Sequence, residues 1–222
     1  MHPGFLIAAA TSGAGKTTIT LALLRALRNR GLKVQPFKSG PDYIDTMLHR
    51  MAADAESVNL DLFMSSPDHV RQLYDRYSAS ADISVVEGAM GLFDGYSKSR
   101  GSCGEVAKVL RLPVVLIVNA KAAAYSVAPL IYGFAHFDSG VQIAGVIFNN
   151  VASERHYAML RQACADTGVS CLGYMPRSPQ LSIPSRHLGL TIQAQSEVET
   201  LLQTASAEIE SYVDIDRLIG LT

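Results

Sequence analysis

Apolar residues along the chain fall into runs of strand length, separated by stretches with helical spacing. The runs are FLIAAA (5–10), KVQPF (33–37), DISVVEG (82–88), PVVLIVN (113–119), VQIAGVIFNN (141–150) and VSCLGYMP (169–176). Several are apolar at successive positions, which suits strands covered on both faces. Between them, LALLRALRNRG (21–31), AYSVAPLIYGFAHF (124–137) and ERHYAMLRQACADTG (154–168) read as helices, and 197–212 as a closing amphipathic helix. Strand and helix in alternation predict an α/β fold, a doubly wound and mainly parallel sheet with helices on both faces. In the first helix Leu21, Leu24, Ala26 and Leu27 form an apolar face. Arg25, Arg28 and Arg30 lie late in it, where cations suit the carbonyl end.

No composition break or linker divides the 222 residues, so 1–222 reads as one domain. A hydrophobic share of 48%, a charged share of 18% and a net charge of -1 argue against nucleic acid as a partner. The longest apolar stretches fall far short of the ~20 residues of a membrane span, and no basic leader precedes the first strand. The three cysteines, Cys103, Cys164 and Cys171, form no CxxC pair and suit a reducing cytoplasm. The six histidines are scattered, and each reads as a surface or core residue before it reads as a metal ligand.

The first run leads into TSGAGKTT, where backbone N–H groups converge on an anion at a helix N-terminus. Ser12, Gly13, Ala14, Gly15, Lys16, Thr17 and Thr18 then hold a nucleotide's phosphates. Gly13 and Gly15 allow close backbone approach, Lys16 supplies a point charge, and the Thr17 hydroxyl is the expected magnesium ligand. Ala10 stands where such loops usually place their first glycine, which weakens the match.

Two acidic loops follow later strands. KSGPDYIDT (38–46) carries Lys38, Asp42 and Asp45 around Tyr43 and Ile44; its plain alternative is a Pro-Asp turn with Asp45 capping a short helix. ISVVE ends in Glu87 and opens into GAMGLFDGY, which adds Asp94. Glu87 after four mostly apolar residues is placed like a Walker B acid, and an unpaired carboxylate there is costly to bury without a cation. With Thr17, these carboxylates suit one or two oxygen-rich magnesium sites between a nucleotide and a second substrate.

ATSGAGKTT, QPFKSGPDYIDT, NLD, VVEGAMGLFDGY, AGVIFNNV, LGYMPR and RHLGL resemble, in order and spacing, the synthetase domain of the cobyrinate and hydrogenobyrinate a,c-diamide synthases. The phosphate loop alone is shared with dethiobiotin synthetase and septum-site ATPases. The resemblance implies ATP-dependent amidation of two acetate carboxylates of a corrinoid through an acyl phosphate, with ATP and Mg2+ required. It implies Thr17, Asp45 and Glu87 as magnesium ligands and Lys16 as the phosphate lysine. It further implies Asp42 and Asp94 in substrate handling or a second metal site, Lys38 in the same crevice, and Tyr43 with Ile44 as the substrate-contacting pair. Asn149, Pro176 and Arg177 resemble base-recognition segments, although Asn149 reads equally well as part of a turn. Related enzymes often build their sites across dimers, so a homodimer is the assembly the resemblance allows.

Family members normally continue into a glutaminase domain with a cysteine nucleophile. Residues after 216 leave no room for one, so the expectation is either an excised or truncated synthetase domain or a glutaminase in a separate chain, and on its own this segment is expected to use free ammonia. A nickel-sirohydrochlorin diamide synthase would share nearly every motif. A partition-type switch ATPase is the more distant alternative: it usually carries an extra early lysine, where this chain has Ala10, Thr11 and Ser12.

Overall fold

The computed structural model describes residues 2–178, 181 and 192–222, with the backbone alone at 192–195. The RHLGL segment lies outside them. One seven-stranded parallel sheet runs in the order β3-β2-β4-β1-β5-β6-β7, formed by β1 (Gly4–Ala9), β2 (Val34–Ser39), β3 (Val58–Leu60), β4 (Ile83–Glu87), β5 (Val114–Asn119), β6 (Ile143–Val151) and β7 (Cys171–Pro176). All six residues of β1 are buried, as a central strand with helices on both sides requires. Their side chains alternate. Phe5, Ile7 and Ala9 enter the core beneath α1 (Lys16–Asn29), α2 (Ile44–Ala53), α7 (Ile192–Tyr212) and α8 (Ile215–Ile219). Leu6 and Ala8 enter the core on the opposite face, beneath α3 (Pro67–Ser78) and α4 (Cys103–Leu110). A third cluster joins β5, β6 and β7 to α5 (Val127–His136) and α6 (Glu154–Thr167).

The expected fold class is correct, and the sheet is wholly parallel. The sequence pattern passes over β3, whose three residues are too few to show a period. It also passes over α3 and α4. In α3 only Val70, Tyr74 and Ser78 are buried, a narrow stripe on an otherwise polar helix, capped by Ser66 accepting from the His69 N–H at 3.2 Å. The closing helix starts at Ile192, five residues before the expected 197.

Arg25 does more than face a helix end. Its guanidinium is buried and donates to the carbonyls of Met51 and Ala52, at 2.8 and 3.1 Å, and to both carboxylate oxygens of Glu199. One side chain of α1 thereby satisfies carbonyls at the end of α2 and fastens α7 over both.

The strand order reverses direction around β1. The chain leaves β1 for β2 on one side, beyond β4, and later leaves β4 for β5 on the other. Ligands of open α/β sheets bind in the crevice at the carboxyl ends beside such a switch point, and the loops after β1, β2 and β4 meet there.

Candidate nucleotide and cation site

The loop between β1 and α1 bends at two left-handed positions, Gly13 (φ 74°) and Gly15 (φ 94°). Ala10 is not among the positive-φ residues, so the missing first glycine is not needed for the turn. No side chain caps α1, and its first turn holds no acid, which leaves the positive end of the helix open to an anion. Ser12 and Gly13 are exposed at the tip, Ala14 is buried, and Thr17 and Thr18 are half-buried in the first turn. The Lys16 ammonium reaches the carbonyl of Met90 at 2.5 Å, in the loop after β4. Burial lowers the Lys16 pKa, with Cys103 and the Glu87 carboxylate acting against it.

Beside this loop lies a buried polar cluster centred on Glu87, the last residue of β4. Its Oε1 accepts from the Thr17 hydroxyl at 2.7 Å and from the Lys38 ammonium at 2.9 Å; its Oε2 meets His49 Nε2 at 2.7 Å. Burial pushes the Glu87 pKa upward, but the His49 hydrogen bond and the Lys38 charge outweigh it and hold the value down at about 2. Lys38 also forms an ion pair with Asp45 and lies 4.0 Å from Asp42 Oδ2. Burial works against the Lys38 ammonium, yet Glu87 and Asp45 outweigh it and raise its pKa. Asp45 is pushed the other way for a carboxylate, raised by burial and by the nearby Glu87 charge.

The three expected metal ligands, Thr17, Asp45 and Glu87, therefore lie in one connected cluster: Thr17 meets Glu87, and Lys38 bridges Glu87 and Asp45. An all-oxygen set already holding a cation fits the chemistry of magnesium, which binds one or two protein oxygens and completes its shell from phosphates and water. Among the described residues no group of three His, Cys, Asp or Glu side chains forms a dedicated metal cage.

Other candidates stand apart. Asp42 Oδ1 accepts from the N–H groups of Ile44 and Asp45, at 2.9 and 3.0 Å, so Asp42 and not Asp45 organises the start of α2. This frees the Asp45 carboxylate for Lys38. Tyr43 is 79% exposed and Ile44 is 42% exposed, both at the mouth of the crevice. Asp94 Oδ2 accepts from Gly91 N–H at 2.9 Å and makes no hydrogen bond or ion pair to Thr17, Asp45 or Glu87.

Asn149 Nδ2 donates to the Ala14 carbonyl at 2.9 Å, tethering the phosphate loop to the end of β6. Asn149, Thr18 and Pro176 line one cleft of about 220 Å3 together with Asn150, Met175 and Ser178. Arg177 is exposed beside it, and its backbone N–H donates to Val151. A larger cavity of about 750 Å3 opens at the amino ends of β1 and β5, lined by Gly4 and Pro113, and holds none of these residues.

His49 is the functional neighbour that sequence reasoning missed. Its spacing of four from Asp45 on α2 puts both side chains on one helix face, and that was the available signal. Cys103 and Cys164 are buried and Cys171 is half-buried, all three as free thiols, and burial pushes the Cys103 thiol up to about 12.

A parallel sheet with an uncapped glycine loop after its central strand, a lysine at the helix start and an acid ending a neighbouring strand defines a P-loop nucleotide-binding domain. The chain belongs to the CobQ/CobB/MinD/ParA nucleotide binding domain family, whose model matches residues 5–190. Among curated proteins it is 48% identical over 218 residues to the hydrogenobyrinate a,c-diamide synthase of Brucella ovis, covering 97% of this chain and 50% of that protein. It is 46% identical over 222 residues to the cobyrinate a,c-diamide synthase of Listeria innocua, covering 98% of this chain and 49% of that one. The chain thus spans about half the length of these relatives. In fold it resembles chloroplast FtsY from Physcomitrella patens, with a TM-score of 0.57 and 14% identity over 90% of this chain and 65% of that one. No described helix is long and apolar enough to cross a membrane.

Proposed function

We propose that this chain is the ATP-using part of a cytoplasmic enzyme that amidates the a and c acetate carboxylates of cobyrinic or hydrogenobyrinic acid. The observation that carries this reading is the connected cluster in which Thr17 and Lys38 both meet Glu87 and Lys38 also meets Asp45, beside the open N-terminus of α1. The names of the relatives supply the substrate class.

In this reading the N–H groups of residues 12–17 and the Lys16 ammonium, released from Met90, hold the β- and γ-phosphates of ATP. Adenine lies in the cleft of Thr18, Asn149 and Pro176, with Arg177 at its rim. Thr17, Glu87 and Asp45 would hold magnesium, which would offset phosphate charge. A substrate carboxylate oxygen attacks the γ-phosphorus, the bond to the bridging oxygen breaks, and ADP leaves. Ammonia then attacks the acyl carbon of the acyl phosphate, inorganic phosphate departs, and the amine loses a proton to give the amide.

Lys38 offsets charge on the incoming carboxylate, while Asp42 and Asp94 hold the two loops that receive the substrate. Tyr43, Phe63, Met90 and Tyr96 on the loops after β2, β3 and β4, and Ile44 at the start of α2, are all more than 40% exposed. Three adjacent strand ends thus present an apolar surface suited to the flat face of a macrocycle. A glutaminase domain or partner supplies ammonia.

The test supplies ATP, Mg2+ and an ammonium salt, and measures phosphate release and amide formation with cobyrinate, hydrogenobyrinate or nickel-sirohydrochlorin. Turnover stimulated by one of the first two, with amide product seen by mass spectrometry, is expected. Stimulation by nickel-sirohydrochlorin alone would move the assignment to that tetrapyrrole, and no stimulation by any of the three would overturn it.

A further inference from the structure

His49 is fully buried, and so is the carboxylate it meets. A polar ring inside an apolar core costs stability unless both nitrogens are satisfied, and here both are. Nε2 stands 2.7 Å from Glu87 Oε2, and Nδ1 stands 3.1 Å from the hydroxyl of Ser57, which precedes β3. An ionised carboxylate only accepts, so the proton on this contact belongs to Nε2, and His49 donates.

The division of Glu87 is what gives this contact a consequence. One oxygen, Oε2, is taken by His49. The other, Oε1, receives Thr17 and Lys38 and faces the phosphate loop. A glutamate reaches one methylene further than an aspartate and has an additional rotatable bond to fix. Holding Oε2 on the ring sets the carboxylate plane and leaves Oε1 as the oxygen presented to a cation. Ser57 sets the ring in turn, so the start of the short edge strand β3 is linked through α2 to the end of β4. Ligating carboxylates are commonly held by such outer hydrogen bonds, whose loss weakens metal binding by about 10–100-fold.

We propose that His49, oriented by Ser57, is a positioning residue that fixes the Glu87 carboxylate for a divalent cation bound with nucleotide. The inference rests on reading Glu87 as a metal carboxylate. His49 itself touches neither cation nor phosphate, since its Nε2 is occupied by Glu87.

Mn2+ binding, followed by electron paramagnetic resonance in the presence of a non-hydrolysable ATP analogue, tests it without turnover. His49→Leu should weaken Mn2+ by about 10–100-fold while leaving metal-free affinity for the analogue unchanged. His49→Gln, whose amide can still donate to Oε2, should recover most of the loss. Wild-type Mn2+ affinity in a folded His49→Leu protein would overturn the proposal and make the ring a packing residue. So would a His49→Gln variant as weak as His49→Leu. Should His49→Leu fail to fold, Ser57→Ala removes only the hydroxyl that orients the ring: a smaller loss of Mn2+ affinity supports the proposal, and no loss overturns it. Glu87→Gln separates the two levels. Lost Mn2+ binding in Glu87→Gln with normal binding in His49→Leu rejects positioning alone, whereas normal binding in Glu87→Gln removes the metal reading and the inference with it.

Discussion

Lys38 and Glu87 are Cα partners in the β2–β4 ladder, and their side chains, both buried, meet at 2.9 Å. Register partners in a parallel sheet lie on the same face, so the pairing is built into the strand alignment. Replacing Glu87 by Gln removes the charge and leaves Lys38 with Asp45 and the more distant Asp42. Breaking a buried pair by removing one partner costs about 3 kcal/mol or more. Glu87→Gln should therefore fold but melt earlier by that measure in urea titration, and should lose ATP turnover. Wild-type stability would mean the pair contributes nothing to the fold.

The pH dependence of stability follows from the same residue. Glu87 titrates at about 2 in the folded protein against 4.5 for a free glutamate, so the unfolded chain takes up its proton first as pH falls. The corresponding contribution, about 3 kcal/mol, is fully present above about pH 4.5 and is lost as pH falls towards 2. Asp45, with its pKa raised, acts with the opposite sign and offsets part of the loss. In metal-free buffer, the stability difference between wild type and Glu87→Gln should narrow from about pH 6 to about pH 3. A constant difference over that range would show that the neighbours do not hold Glu87 ionised.

Both acidic loops and the phosphate loop could be read from the sequence, because each follows an apolar run and therefore leaves a strand end. Which strand ends are neighbours could not. That Lys38 lies opposite Glu87 depends on β2 pairing with β4, an order that no local pattern contains. Burying Glu87 calls for a cation beside it, and in this fold a lysine from the adjacent strand stands there, which the local sequence does not reveal. A scattered histidine reads as a surface or core residue before a ligand; His49 is a core residue here, but one that packs against a carboxylate. Arg25 illustrates the opposite limit: its position late in the helix suggests a cation suited to the carbonyl end, while its pairing with Glu199 depends on α7, far along the chain.

Arg25 should matter far more to stability than Arg30. The Arg25 guanidinium is buried, and its removal leaves the Met51 and Ala52 carbonyls without their donor. Arg30 also pairs with two carboxylates, Glu210 and Asp216, but near the surface, where such pairs contribute about 0–1 kcal/mol. Arg25→Met should cost about 2–4 kcal/mol in urea titration and Arg30→Met under about 1 kcal/mol. Equal costs would mean that the clamp between α1, α2 and α7 is not a stabilising feature.

The two left-handed glycines of the phosphate loop separate strain from collision. At Gly13, φ is 74° and an added Cβ meets nothing within 4 Å, so Gly13→Ala should cost only the left-handed conformation, about 1 kcal/mol. At Gly15, φ is 94° and the added Cβ would stand 2.0 Å from Asn149 Nδ2, the group that tethers the Ala14 carbonyl. Relief requires Asn149 to swing away, which releases the loop from the end of β6. Gly15→Ala should therefore lose much more nucleotide affinity than Gly13→Ala, measured with a fluorescent ATP analogue. Asn149→Ala added to Gly15→Ala removes the collision but not the strain. The double variant should fall no lower than Asn149→Ala by more than the conformational cost seen at Gly13. A double variant weaker than that sum would show that the loop is held by something other than this contact.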